Sequence, residues 1–124
     1  MQLFVSEIGD QAGVFHAQRS YYEALLRAGV QIWMYPAPYI LHAKHLSVDD
    51  DVAVIGSSNM DIRSFALDLE ISLLIHDAEF VTELRAVEDA YRTISRQLML
   101  DEWLQEPRRQ LVRDNVARLT SALQ

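Results

Sequence analysis

The sequence predicts an α/β domain in which a mixed β-sheet is flanked by helices on both faces. Short apolar segments bounded by turn residues alternate with longer segments whose apolar residues recur every three or four positions. The predicted order is β-α-β-β-β-β-α-α, in one domain over residues 1–124. Half of the residues are hydrophobic and 23% are charged, which is typical of a folded globular chain.

The first third of the chain is predicted to form a strand, a helix and a second strand. Residues 2–6 are a short apolar run followed by turn residues, as expected of a strand. Apolar residues recur at helical spacing over residues 14–28, and Gly29 is suited to end that helix in the left-handed conformation. Residues 30–35 alternate as a strand, which ends there because two of the next three residues are prolines that lack an N–H donor.

The middle of the chain is predicted to form a hairpin followed by a buried strand. Residues 42–48 and 52–55 are strand-like and are joined by a tight turn of three aspartates. Residues 56–59 form a loop, and residues 67–75 contain an apolar run that is typical of a buried strand. Because the second strand of a hairpin returns to the start of the first, the loop is expected to lie beside residue 42.

Two helices are predicted to complete the domain. Asp77 is a suitable N-cap for a long helix, and Pro107 can occupy the first turn of the last helix. Each helix has one apolar face, which we expect to pack in the core. The first face consists of Phe80, Leu84, Val87, Tyr91, Ile94 and Leu98, and the second of Leu111, Val112, Asn115, Val116, Leu119 and Leu123.

Charge and composition argue against several classes of protein. The net charge is −7 and the isoelectric point is about 4.9, whereas proteins that bind nucleic acid usually carry a basic face, so a nucleic-acid binder is disfavoured. The chain has no cysteine, which excludes disulfides and thiolate metal sites. No apolar run has the length that spans a bilayer, and the first ten residues are too acidic for a signal peptide. The chain as given is therefore expected to be soluble.

Five polar residues are spaced so that the predicted hairpin gathers them. His42 and Lys44 lie two apart on a strand and therefore project from the same face. Ser57 and Asn59 follow the returning strand, and Glu70 is a lone acid in the apolar stretch after them. A buried carboxylate needs a partner, and a histidine is a suitable one. These residues can therefore surround one small anion.

The stretch from His42 to Glu70 resembles the phospholipase D superfamily, whose members share the signature H-x-K-x₄-D. His42, Lys44 and Asp49 match that signature without a gap, residues 56–59 look like the G-S-x-N element of the family, and Glu70 lies where the family keeps an acid that orients a histidine. Within the superfamily, the segment LHAKHLSVDDDVAVIGSSNMDIRSFALDLEISLLI looks most like bacterial cardiolipin synthases. The similarity extends over the whole chain and implies the phospholipase D-like fold of the C-terminal catalytic half.

This resemblance implies a phosphatidyl transfer in which two phosphatidylglycerol molecules give cardiolipin and glycerol. His42 would attack phosphorus and form a phosphohistidine. Lys44, Ser57 and Asn59 would bind the phosphate oxygens on which charge concentrates. Glu70 would fix the tautomer of His42, as the acid does in a catalytic triad. The resemblance calls for no metal and no cofactor, and phosphatidylethanolamine as the donor stays open.

The active site of this family needs two facing motifs, one histidine acting as nucleophile and the other as acid and base, but the sequence has one. Either two copies pair symmetrically, or the second motif lies in an absent N-terminal half, which the resemblance favours. Asp49 is expected to act structurally or toward that partner half. The chain opens directly on a strand, so the first strand and helix of the domain are candidates for missing parts. We expect a fragment, inactive alone, of a parent enzyme associated with the cytoplasmic membrane.

Two other functions stay open at this point. A phospholipase D-like hydrolase or nuclease would use water as the acceptor, although the acidic balance counts against a nuclease and the similarity to synthases counts against a hydrolase. A scaffold or dimerisation domain without activity is the third alternative, against which the intact set of polar residues speaks. His45 is expected to point away from Lys44 and is interpreted, with His16 and His76, as structural or incidental.

Overall fold

A computed structural model describes residues 1–9, 11–59, 64 and 69–119, except the side chains of residues 108, 109, 111, 118 and 119. The described residues belong to two compact units, one within residues 1–41 and 94–124 and the other within residues 42–93. Both units contain strands and helices, which confirms the predicted α/β class. The prediction of a single domain over residues 1–124 stays a prediction.

Within the described residues, the order of helices and strands departs from the predicted one at two places. The first predicted helix is divided in two, and a short strand and a short helix follow the long helix. In chain order the elements are β1 (Gln2–Ser6), α1 (Ala12–Arg19), α2 (Tyr22–Arg27), β2 (Gln31–Tyr35), β3 (His45–Val48), β4 (Val52–Gly56), β5 (Ser72–His76), α3 (Ala78–Ile94), β6 (Arg96–Leu98), α4 (Leu100–Leu104) and α5 (Arg108–Leu119).

The first unit is built on a mixed sheet of three strands in the order β1-β2-β6. Strands β1 and β2 are parallel, and β6 runs antiparallel to β2 with Leu98 opposite Ile32. The predicted strands at residues 2–6 and 30–35 are thereby confirmed, and Gly29 ends α2 with a φ of 83°, as predicted. Helix α2 contacts β2 and α4, and α1 contacts α5. The buried core of this unit consists of Val5, Tyr22, Ile32, Met34, Leu98 and Trp103.

The single helix predicted over residues 14–28 is wrong, because the structure breaks it between α1 and α2. The Ser20 hydroxyl donates to the carbonyl oxygen of Ala17 at 2.6 Å, and the Ser20 amide donates to the same carbonyl at 3.2 Å. Such local bonds from serine compete with the regular helical pattern and favour a helix end. The second helix then begins at Tyr22, whose side chain is buried in the core.

The long helix is shorter than its apolar periodicity predicts. Leu98 is predicted on the helix face, but α3 ends at Ile94 and Leu98 lies in β6, where it is buried against β2. Helix α4 is also unexpected, and it buries Trp103. This segment forms a strand because it pairs with β2, which lies far earlier in the chain. The local pattern of apolar residues does not indicate so distant a partner.

The last helix forms where predicted, directly after the proline, but its apolar face is not the buried one. Val112 and Val116 are 61% and 57% exposed, whereas Asp114 is 1% exposed. The Asp114 carboxylate accepts hydrogen bonds from His16 Nδ1 at 2.7 Å and from Arg19 Nε at 3.3 Å, both on α1. This charged pairing, which a hydrophobic pattern does not reveal, turns the face with Asp114 inward. Three further residues of the predicted face have side chains outside the described part, namely Leu111, Leu119 and Leu123.

The second unit contains an antiparallel sheet in the order β3-β4-β5, which includes the predicted hairpin. Strand β3 begins at His45 and not at residue 42, so His42 and Lys44 precede the regular strand. The hairpin pairing nevertheless reaches one residue further, because the Gly56 amide donates to the Lys44 carbonyl at 3.0 Å. Lys44 is therefore fixed by its backbone to the end of β4.

The prediction of a buried strand over residues 67–75 is wrong in its burial. Strand β5 covers Ser72–His76 at the edge of the sheet, and Leu73 and Leu74 are 63% and 66% exposed. An apolar run reports the preference for a strand, but it does not report whether the strand has neighbours on both sides. Residues 67 and 68 lie outside the described residues.

Helix α3 begins as predicted and is anchored to the turn of the hairpin. The Asp77 side chain accepts a hydrogen bond from the Phe80 amide at 2.9 Å, which confirms Asp77 as the N-cap. The Asp77 amide donates to the Asp51 carbonyl at 2.8 Å, and Arg85 Nη1 lies 2.6 Å from Asp50 Oδ1.

In the described part of the chain, no helix combines the length and the apolar character that a membrane crossing needs.

Candidate active site

His42 and Lys44 contact each other directly at the open end of the hairpin. The ammonium of Lys44 bonds to His42 Nδ1 and also donates to the His42 carbonyl at 2.9 Å. His42 is exposed and Lys44 is half-buried. The two side chains are thus brought together as predicted, although by this direct contact and not by alternation along a regular strand.

The contact with Lys44 engages one ring nitrogen of His42. A lysine ammonium has three donors and no lone pair, so His42 Nδ1 acts as the acceptor in this contact. The other ring nitrogen, Nε2, does not take part in it.

Ser57 and Glu70 form a second pair at the same end of the hairpin. The Ser57 hydroxyl donates to Glu70 Oε2 and accepts the Ile71 amide at 3.1 Å. The Ser57 amide in turn donates to the Ile71 carbonyl at 3.0 Å. Glu70 is half-buried and lies before β5, not within a strand. Its hydrogen bond goes to Ser57, whereas the sequence predicts one to His42.

Asn59 is held by its backbone, with its side chain exposed. The Asn59 amide donates to the Ser64 hydroxyl at 3.1 Å, and Ser64 is 6% exposed. The Asn59 carboxamide carries both donors and an acceptor, and the residue is exposed. Ser64 was not identified from the sequence, in which an isolated serine carries no signal of burial.

Asp49 lies at the opposite end of the hairpin from Lys44. It occupies the turn between β3 and β4 with a φ of 51°, and its carbonyl accepts a hydrogen bond from Arg85. Five steps of extended chain through β3 separate it from Lys44, a span of about 16 Å at the usual rise of a strand. The structure therefore brings His42 and Lys44 together and Ser57 and Glu70 together, and it does not bring Asp49 to either pair.

Helix α3 contributes three residues near the motif that the sequence does not identify as site residues, although Tyr91 belongs to the predicted apolar face. Arg85 holds the turn, and Glu88 and Tyr91 contact the side chains on the inner face of β3. Their spacing of three residues indicates one helix face, but nothing in the sequence indicates which strand that face meets. Within the described ranges, no three or more histidine or acidic side chains gather where a metal ion could be held.

An α/β chain with a histidine and a lysine paired at the end of a hairpin, beside a serine and a glutamate, has the fold and the polar set of a phospholipase D-like domain. A family model described as cardiolipin synthase, PLD-like domain matches residues 2–90. The chain belongs to that family.

Curated relatives agree with this assignment. The major cardiolipin synthase ClsA of Bacillus subtilis (strain 168) is 35% identical over 114 residues, which are 92% of this chain and 23% of that protein. The cardiolipin synthase of Geobacillus kaustophilus (strain HTA426) is 35% identical over 125 residues, covering 99% of this chain and 24% of that protein. Cardiolipin synthase A of Klebsiella pneumoniae (strain 342) is 41% identical over 91 residues, covering 73% of this chain and 18% of that protein. The chain spans less than a quarter of the length of each of these relatives.

Proposed function

We propose that this chain is one catalytic half of a phosphatidyltransferase of the cardiolipin synthase type. The donor is phosphatidylglycerol, the phosphatidyl group is carried on a histidine, and the hydroxyl of a second phosphatidylglycerol accepts it with release of glycerol. The observation that carries this proposal is the contact of Lys44 with the ring of His42 at the end of the hairpin. It places a compact positive charge beside a ring nitrogen, as attack on an anionic phosphodiester requires.

The substrate phosphate exchanges the partners of both pairs. Its non-bridging oxygens are charged acceptors, so they attract the Lys44 ammonium away from the neutral ring of His42 and the Ser57 hydroxyl away from Glu70. The ring can then carry its proton on Nδ1, where Glu70 accepts it, and Nε2 presents a lone pair to phosphorus. Glu70 thereby acquires the role that the sequence predicts for it.

Each chemical step balances within the two halves of the site. A bond from His42 Nε2 to phosphorus forms while the bond from phosphorus to the glycerol oxygen breaks, and the histidine of the second motif gives a proton to that oxygen. The same histidine then takes the proton of the acceptor hydroxyl, whose oxygen displaces His42. Lys44, Ser57 and Asn59 bind the phosphate oxygens in both steps.

The second motif is supplied by another part of the parent enzyme, by which we mean the longer chain that we propose contains this sequence. A homodimer mate is the alternative source. Asp49 acts on the hairpin turn or toward the partner half, consistent with its position far from His42. The parent enzyme works at the cytoplasmic membrane surface, where its phospholipid substrates are, and it needs no metal or cofactor.

The experiment that tests this function is replacement of His42 by alanine in the parent enzyme. We expect loss of cardiolipin and glycerol formation from vesicles of phosphatidylglycerol, and loss of the acid-labile phosphate that a phosphohistidine gives after rapid quenching. His76→Ala is the matched control, because His76 is exposed on the edge strand and belongs to neither pair. It is expected to keep both signals.

The products separate the three functions that the sequence leaves open. Phosphatidic acid in place of cardiolipin identifies a hydrolase with water as the acceptor, and cleavage of DNA or RNA identifies a nuclease. A His42→Ala enzyme that still forms cardiolipin at the normal rate would falsify the proposed role of His42 and favour a scaffold.

A further inference from the structure

The inner face of β3, opposite Lys44, carries a compact polar cluster. His45 and Ser47 lie two apart on the strand and project together toward α3. The Ser47 hydroxyl lies 3.2 Å and 3.1 Å from the two carboxylate oxygens of Glu88, and His45 Nε2 lies 3.5 Å from Glu88 Oε1. The His45 and Glu88 side chains are 14% and 19% exposed. One carboxylate on α3 therefore accepts a hydrogen bond from Ser47 and lies close to the ring of His45, the two successive inward residues of β3.

The other side of the His45 ring is occupied as well. The ring centroids of His45 and Tyr91 are 6.2 Å apart, with the planes inclined at 33°, a separation typical of interacting aromatic rings. Glu88 and Tyr91 are three residues apart and share one face of α3. The ring is thus bounded by a carboxylate and by an aromatic ring, which restricts it more than a single contact does.

The chain connects this cluster directly to the candidate active site. The carbonyl of Lys44 accepts the Gly56 amide at 3.0 Å, and the next residue is His45. The peptide between them is therefore held by β4 on one side and, through the His45 side chain, by α3 on the other. Lys44 in turn bonds to both the ring and the carbonyl of His42, so its direction fixes the place of His42.

We propose that His45, Ser47 and Glu88, which we call the β3–α3 clamp, are positioning residues for Lys44 and His42. The proposal rests on the function proposed above. The His45 side chain is engaged by Glu88 and Tyr91 of α3, so it is not itself a ligand of the phosphate that Lys44 binds. The clamp acts through the backbone, by setting the angle at which Lys44 leaves the sheet.

The test replaces Glu88, since it touches both strand residues. In the parent enzyme, we expect Glu88→Ala to lower kcat between about 10-fold and 100-fold with an unchanged KM, because a small displacement of catalytic groups has effects of that size. Glu88→Gln keeps a side-chain oxygen that accepts from Ser47, and we expect it to recover most of the rate. Glu83→Ala is the matched control, an exposed acid on the same helix, and is expected to leave kcat unchanged.

A second measurement does not depend on turnover. In nitrogen-15 spectra of the histidine rings of this chain, Glu88→Ala is expected to shift the signals of His42, which it does not touch, while Glu83→Ala leaves them in place. Shifted signals together with a lowered kcat support the clamp. Unmoved His42 signals overturn it and leave Glu88 with a role in stability only. If His42→Ala keeps turnover, the proposed function fails, and the spectra still decide whether the clamp positions His42.

Discussion

Lys44 is the only lysine in the sequence, and its ammonium is bonded to both the ring and the backbone carbonyl of His42. The backbone carbonyl of Lys44 is held by the Gly56 amide at 3.0 Å, and the residue is half-buried. Glu70 and Ser57 form a comparable pair, in which the acid is satisfied by a hydroxyl. At the scale of single residues, the candidate site is therefore a set of polar groups that satisfy each other until an anion competes for them.

Replacement of Lys44 tests this interpretation. We expect Lys44→Ala to lower kcat of the parent enzyme by about 100-fold or more, the usual cost of removing a charge-stabilising donor from a transition state. Lys44→Arg is expected to restore little, because a planar guanidinium does not reproduce a compact ammonium. Arg27→Ala is the control, since Arg27 is exposed and its described ion pair is with Glu23 on α2. Equal rates for Lys44→Ala and Arg27→Ala would contradict the assignment.

Tyr22 gives a residue-scale prediction about stability that is independent of function. Its side chain is 1% exposed, and burial raises the pKa of the phenol from 10.0 to about 12, although Gln18 donates a hydrogen bond to the hydroxyl. Because the pKa in the folded state is the higher one, the stabilisation is complete below pH 10 and is lost as the pH rises through 12. The loss amounts to roughly 3 kcal/mol, since each pKa unit corresponds to about 1.4 kcal/mol.

Urea unfolding of this chain at several alkaline pH values measures this effect. Between pH 10 and 12, the free energy of unfolding should fall in the unchanged chain. It should fall equally in the control variant Tyr39→Phe, because Tyr39 is 69% exposed. In Tyr22→Phe the fall should be smaller by the contribution of that phenol. The same dependence in both variants would show that Tyr22 does not titrate in the folded state as described.

At the scale of elements, α3 organises the second unit. It is bonded to the hairpin turn through Asp77 and Arg85 and to the middle of β3 through Glu88. The start of α3 can be read from the sequence, because Asp77 is a good N-cap residue and apolar residues at helical spacing follow it. Strand β5 shows the opposite behaviour, since its apolar residues are exposed at the edge of the sheet although the sequence favours burial.

Loss of the cap should weaken α3. Asp77→Ala leaves the Phe80 amide without its side-chain acceptor, and we expect the free energy of unfolding to fall by about 1 kcal/mol. Asp77→Asn keeps an acceptor oxygen and should lose less. Glu83→Ala, in the middle of the helix, serves as the comparison. Urea denaturation followed by circular dichroism measures all three variants. If Asp77→Ala is as stable as Glu83→Ala, the Asp77 side chain does not stabilise the helix as a cap.

At the scale of the whole molecule, the chain belongs to the cardiolipin synthase, PLD-like domain family and carries one H-x-K-x₄-D motif. Its relatives named cardiolipin synthases are about four times as long. The mechanism proposed above uses two histidines, one to attack phosphorus and one to transfer protons, and we propose that the second is supplied from outside this sequence.

The prediction at this scale concerns mass and turnover together. Light scattering of the 124-residue chain, with a phosphodiester assay on the same fractions, should show no turnover in monomeric fractions. Turnover confined to dimeric fractions would mean that two His42 motifs build one site, and it would move the hydrolase ahead of the transferase. Turnover by a strict monomer would contradict the need for a second motif.

By itself, the sequence determined the α/β class, the hairpin around the aspartate turn, the helix cap at Asp77 and the chain reversal at Gly29. It also identified the residues of the two polar pairs. Each of these features depends on residues within a few positions of one another, or on a motif whose spacing can be read from the sequence. Local propensities and side-chain chemistry are sufficient to specify such features.

The tertiary structure alone decided the features that depend on a distant partner. Leu98 lies in a strand and not in the helix because it pairs with β2. Asp114, and not the valines, lies on the buried face of α5 because His16 and Arg19 of α1 bond to its carboxylate. The pairing of Glu70 with Ser57 belongs here too, as does the contact of Glu88 with β3. Burial and ion pairing are properties of what lies opposite a residue in space, and the linear pattern carries no record of that neighbour.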